Sequence, residues 1–218
     1  MEKPPDLETV TKLDAANRQL VTAIRLFFEN EDPVAVHTLA CAAREIYEKH
    51  CRKADLTRTF DYVKESHPAH AEKDLWNILN GPRNFFKHSG ESLDETVEFS
   101  DTYNDFMLLS ACHDCGMLMG PGKNPLPMQA FGTWFLTTQM PFTEGATQEE
   151  TRMSAGIGAA LDVSFPGMRD SSRSDQKKFG AWLHHQVTAG LHFEHILNDF
   201  ESFRRQLRTQ GDPIDVSV

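Results

Sequence analysis

The sequence has few cysteines, fewer basic than acidic residues and no long apolar run, and each shortage removes a class of protein. Four cysteines in 218 residues are too few and too unevenly spaced for a disulfide scaffold, so reduced thiols and a cytoplasmic setting are expected. Twenty-two Lys and Arg stand against 32 Asp and Glu, a formal charge of −10. That balance excludes indiscriminate coating of nucleic acid by a basic surface. No apolar stretch reaches the length that spans a bilayer, and the opening MEKPPDLETV lacks the apolar core and cleavage site of a secretory signal. No membrane partner is therefore expected. Strand alternation, internal repeats and sustained heptads are missing too. Gly156 and Gly158 do not form a phosphate loop, because no Lys with Ser or Thr follows and no strand precedes them; they read as a close helix contact.

What is present is helical periodicity. Leu13, Leu20, Ile24, Phe27 and Phe28 recur at spacings of three, four and seven, predicting a helix over 11–28. Glu31-Asp32-Pro33 supplies a cap and a first-turn proline for a second helix through about His50. Shorter helices are expected over 56–66 and 71–80, a break or new helix start at Gly81-Pro82, and a longer helix over 97–119. Gly120-Pro121-Gly122 opens a cluster ending at Pro127 that marks a boundary. Beyond it, helices are expected over 128–140, 149–163 and 174–208, with Phe131, Trp134, Phe135 and Trp182 packed inside. Met140-Pro141-Phe142 would extend that aromatic stretch. The expected fold is all α: a bundle over 8–120, a connector over 121–147 and a helical extension over 148–218.

Arg83-Asn84-Phe85-Phe86-Lys87-His88 concentrates the chain's chemistry. At about 100° per residue, Asn84 stacks under His88 and Arg83 under Lys87. The polar four cover an arc of roughly 140°, leaving Phe85 and Phe86 to be buried. Charge is segregated around this segment: 91–120 contains seven Asp or Glu and no Lys or Arg. Arg44 and His50, with five residues between them instead of four, also fit a permissive arginine-to-histidine spacing, but Glu45 and Glu48 between them would oppose a phosphate. A bland role also exists for the segment, with Arg83 paired to the acidic stretch, Asn84 satisfying backbone and His88 capping a helix.

An arginine, a polar residue, three positions and a histidine resemble the signature of the HEPN domains, an all-helical superfamily of four- or five-helix bundles. The resemblance covers about 8–120 and includes the helix over 11–28 and the Asp32-Pro33 helix start. It implies a metal-independent endoribonuclease, in defence or stress control, with two motif helices facing each other across a homodimer and no cofactor. Arg83 would hold the scissile phosphate, His88 would move a proton to or from the reacting oxygens, and Asn84 would orient His88 or the phosphate. Lys87 would steer substrate. The implied partners are RNA, tRNA among them, and an antitoxin or regulatory protein. HEPN-like modules that bind nucleotides or proteins without cleaving them are the alternative.

A third reading is a zinc-binding regulator. Cys112 and Cys115 have the spacing of half a zinc site, and His192 and His195, one turn apart, would have to complete it. No second cysteine pair exists, and two such cysteines on an apolar helix equally suit a core.

Overall fold

Local signals within the first fifty residues set the first two helices. The structure, a computed structural model, describes residues 7–88, 90, 92–139 and 148–210, with the side chains of 148–154 and 210 excepted. Thr11 caps α1 (Lys12–Phe28): its hydroxyl accepts the Asp14 amide at 3.1 Å, and the Asp14 carboxylate accepts the Thr11 amide at 3.1 Å. This reciprocal pair satisfies two donors that a helix start leaves orphaned. Asp32 caps α2 (Pro33–Lys53) by accepting the Ala35 amide at 2.8 Å, and Pro33 sits where its missing N–H is no loss. Then come α3 (Thr59–Ser66), α4 (Glu72–Lys87), α5 (Tyr103–Met119), α6 (Leu126–Thr138), α7 (Gln148–Ser164), α8 (Arg173–Thr188) and α9 (Phe193–Gln210). Among the described residues there is no strand. The protein is an all-α bundle with additional C-terminal helices.

The chain divides into two compact units, 1–128 and 129–218. In the first, α2 packs along both α1 and α5, α4 lies beside α2, and α3 touches α4 and α5. Leu20, Ile24 and Phe27 of α1, Ala40, Ala43 and Tyr47 of α2, and Leu108, Ala111 and Cys115 of α5 are fully buried. The alanines of α2 allow close helix approach while the large side chains fill the space between. Tyr47 keeps its hydroxyl satisfied by donating to Asn17 Oδ1 at 2.7 Å. α5 buries residues around most of its circumference, from Asn104 to Cys115, as a central helix must.

In the second unit Phe165 packs against Phe179 and Phe200 with ring centroids 5.1 and 5.2 Å apart. Trp182 stacks on Phe203 at 4.9 Å. Trp134 buries its ring and donates its indole N–H to the Gln176 carbonyl at 2.7 Å. Met140 and Phe142 lie outside the described residues.

Four local expectations change. Gly81-Pro82 lies inside α4, which runs through it unbroken. The helix expected from 97 begins at Tyr103 instead, because Ser100 Oγ accepts the Thr102 amide at 3.3 Å and forms a turn that competes with helix. The 174–208 segment is two helices, parted at Gly190, whose φ of 75° suits glycine and breaks helical geometry. Gly156 faces open space and Gly158 would meet only the Arg169 guanidinium at 3.6 Å, so neither marks a close helix contact.

Candidate functional site

The arginine-histidine segment occupies the last turn of α4, so its exposure depends on how α4 is anchored. Asn80 does much of this: it is 1% exposed, accepts a hydrogen bond from Arg44 of α2, and donates to the Trp76 carbonyl at 2.8 Å. Phe86 then inserts from the far side of the turn. Its ring meets Phe99 at 5.0 Å and His37 at 5.8 Å, edge to face in both cases. These contacts offset the helix bond that Pro82 cannot make. Helix α4 is therefore held by tertiary contacts through a dipeptide that would otherwise end it.

The polar arc splits into two parts. Arg83 leans back to α2 and pairs with Glu45, its side chain only 15% exposed beside a glutamate that is 56% exposed. Asn84, Lys87 and His88 are exposed, and their side chains have no partner among the described residues. His88 is the C-cap; its amide donates to the Asn84 carbonyl at 3.1 Å while its own backbone turns extended, φ −106° and ψ 145°. The last helical hydrogen bond thus keeps Asn84 and His88 one turn apart, and the chain leaves the helix directly after. Phe85 and Phe86 are half-buried on the other side. The carboxylate partner of Arg83 is Glu45 of α2, not one of the described residues of the acidic stretch.

The second arginine-histidine spacing resolves differently. Arg44 is 2% exposed, whereas His50 is exposed. The Arg44 guanidinium lies 5.7 Å from the Trp76 ring centroid and 3.8 Å from Glu48, a cation braced by an aromatic face and a carboxylate. Glu48 is also held by Arg58 at 3.2 Å. Burial pushes the Glu48 carboxyl above the ordinary glutamate range, and Arg44 and Arg58 pull against that shift without cancelling it. Nearby, Asp114 is 1% exposed and accepts the Thr59 amide at 2.8 Å and the Thr59 hydroxyl at 3.0 Å. This polar network fastens α3 and α4 to α2 and α5. Sequence reading missed it because the Arg44–Asn80 and Thr59–Asp114 partners lie 36 and 55 residues apart and Glu48 and Arg58 ten apart; the local trace is the four-residue spacing of Arg44 and Glu48.

The cysteines and histidines of the zinc reading belong to different units. Cys112 and Cys115 are 5% and 0% exposed, inside the α5 core of the first unit, and burial pushes both thiols up, toward the protonated form that metals do not bind. His192 and His195 are exposed residues of the second unit. Among the described residues, no group of three or more His, Cys, Asp or Glu side chains is placed to hold a metal. No helix among the described residues is long and apolar enough to cross a membrane.

At the end of α4 an amide, an ammonium and an imidazole face solvent beside an arginine already paired with a glutamate. Such a set can hold a phosphate and exchange a proton with it. No protein-family model, curated protein or solved structure matches this chain.

Proposed function

We propose that the protein is a HEPN-type, metal-independent endoribonuclease, cytoplasmic and acting in defence or stress control, with Arg83, Asn84 and His88 as its catalytic set and Lys87 binding substrate. The observation that carries this reading is the exposed and unpartnered state of Asn84, Lys87 and His88 beside Arg83. A polar set kept clear of intramolecular bonds is available to a ligand. In the proposed reaction the RNA 2′-hydroxyl gives up its proton to an imidazole and attacks the adjacent phosphorus. The bond to the 5′-oxygen breaks, that oxygen takes a proton, and the products are a 2′,3′-cyclic phosphate and a 5′-hydroxyl. One His88 takes the first proton and the His88 of a second copy supplies the second, which is why a homodimer through the α4 terminus belongs to the proposal. Arg83 offsets charge on the crowded phosphorus, after exchanging Glu45 for the phosphate.

That exchange favours a second reading. Glu45 already occupies the Arg83 fork, so a module that binds a nucleotide or a partner such as an antitoxin, without cleaving, needs only partial release of the arginine. One experiment separates the two: incubate purified protein with transfer RNA in EDTA and analyse both binding and end groups. Cleavage to cyclic-phosphate ends that His88→Ala abolishes supports the nuclease. Binding without cleavage supports the second reading in its nucleotide-binding form, and neither binding nor cleavage rejects the nuclease and the nucleotide-binding form together.

A further inference from the structure

A cleft of about 420 Å³ opens in the first unit between α2, α3 and α4, and neither Arg83 nor His88 lines it. The volume falls in the range of small-molecule sites. Its apolar wall is aromatic: Phe60 of α3 and Trp76 of α4 meet edge to face with ring centroids 5.2 Å apart. Phe60 is 3% exposed, whereas Trp76 keeps 36% of its surface in water. Phe60 and the Arg44 guanidinium, 5.7 Å from the indole centroid, brace the rest of that side chain. The exposed part of the indole is therefore a fixed surface against which a second ring can settle.

Charged residues complete the lining, and their pairings divide them. Glu48 is buried and held by Arg58 at 3.2 Å, and Arg58 also donates to Asp61. Glu72 pairs with Lys64 at 2.8 Å. Arg52 of α2 and Lys73 of α4 line the same cleft and are exposed. Their side chains make no hydrogen bond or ion pair among the described residues, and Arg52 feels Glu48 only at longer range. The carboxylates of the cleft are thus already matched, while two of its three cations are not. Lys73 also stands in the first turn of α4, where the positive end of the helix dipole disfavours a cation, so the helix gains nothing from that charge.

We propose that this cleft binds a small aromatic carboxylate, its ring against Trp76 and its acid group held by Arg52 and Lys73. The planar Arg52 fork matches the two oxygens of a carboxylate, and Lys73 adds a flexible point charge. Glu48 and Glu72 limit the charge of the occupant: a phosphate dianion meets more repulsion from them than a carboxylate monoanion does. An aromatic amine would face the unmatched cations instead. The site shares no residue with the proposed nuclease set, so the two stand or fall separately.

Phenylpropionate, its neutral amide phenylpropanamide and the saturated analogue cyclohexylpropionate separate the contributions of charge and ring. Titrated by calorimetry into full-length protein at low salt, phenylpropionate is expected to bind saturably and about tenfold more tightly than the amide, the ratio that two exposed ion pairs support. Added salt should shrink that advantage. Cyclohexylpropionate should bind about threefold more weakly than phenylpropionate, because it lacks the ring-to-ring contact. Arg52→Gln combined with Lys73→Gln should bring acid and amide to equal affinity while leaving the fold intact. Phenylpropionate should also change the tryptophan fluorescence, and Trp76→Phe should remove that change. Equal affinity of acid and amide for wild type, an acid preference that survives the double substitution, cyclohexylpropionate binding at least as tightly as phenylpropionate, or no saturable binding overturns the proposal. Should Trp76→Phe fail to fold, the calorimetric ratios for wild type and the double variant decide alone.

Discussion

Arg44 and Arg83 both find a glutamate on α2, and the contrast between the two pairs shows how burial divides similar residues between a fixed brace and an exchangeable pair. Arg44 is buried with Glu48, bonded to Asn80 and set against Trp76; three partners fix one guanidinium. Arg83 has one partner, Glu45, which is itself more than half exposed. The first pair was desolvated when the bundle formed, so removing Arg44 takes from a buried carboxylate one of its two cations, with no water to replace it. The second stays in contact with water, where an ion pair contributes little to stability and can be exchanged for another anion. Proximity to an acid does not distinguish the two arginines. The number of additional partners and the access of solvent do.

The largest effect should come from breaking the buried side. Arg44→Ala leaves buried Glu48 with Arg58 as its one remaining arginine and takes the donor from Asn80 Oδ1, and is expected to cost about 3 kcal/mol, measured by urea denaturation, whereas Arg83→Ala should cost under about 1 kcal/mol. Equal losses would erase the distinction. Next comes a difference in pH response. The folded Glu48 carboxyl titrates above its ordinary value, so its contribution to stability is fully present below the unfolded pKa, about 4.5, and declines as pH rises through the folded one. Glu48→Gln removes that decline, and the variant should gain on wild type between pH 4 and pH 7. A growing disadvantage across that interval would mean that Arg44 and Arg58 outweigh burial.

Smaller changes are expected on the exposed side. Glu45→Gln frees Arg83 and should leave stability within about 0.5 kcal/mol, while RNA affinity at low salt rises several-fold and becomes more sensitive to added salt. Unchanged RNA affinity would indicate that Glu45 does not restrain the site. His37 supplies the opposite pH sign to Glu48. Its folded pKa is depressed by burial first and by Arg44 in lesser degree, so its contribution is present above the ordinary histidine value, about 6.5, and fades as pH falls below it. His37→Phe, where it folds, should flatten that part of the stability profile.

Much of the architecture was legible because it is written locally. The Asp32-Pro33 start adjoins the helix it begins, and the apolar stripe of α1 follows a single helical period. Local reading failed where distant contacts decide. Gly81-Pro82 is a sound breaker signal, yet Asn80 and Phe86 on either side are tied to α2 and to Phe99, so the helix continues. The same limit applies to the site. Its residue types and their amphipathic split were visible, with Phe86 turned to the interior and Lys87 and His88 to solvent. Glu45 as the partner of Arg83 was not, since it lies 38 residues away. His37 gave no signal at all, because its meaning rests on Asn104, 67 residues distant.

Cleavage of RNA in EDTA tests the Arg83–His88 site most directly. Wild-type protein is predicted to cut transfer RNA and leave 2′,3′-cyclic phosphate ends, and His88→Ala to lose about 10²–10⁴-fold in rate with an unchanged melting temperature. Equal cleavage by His88→Ala and wild type, or no cleavage by a folded wild-type dimer across cellular RNA, would contradict it.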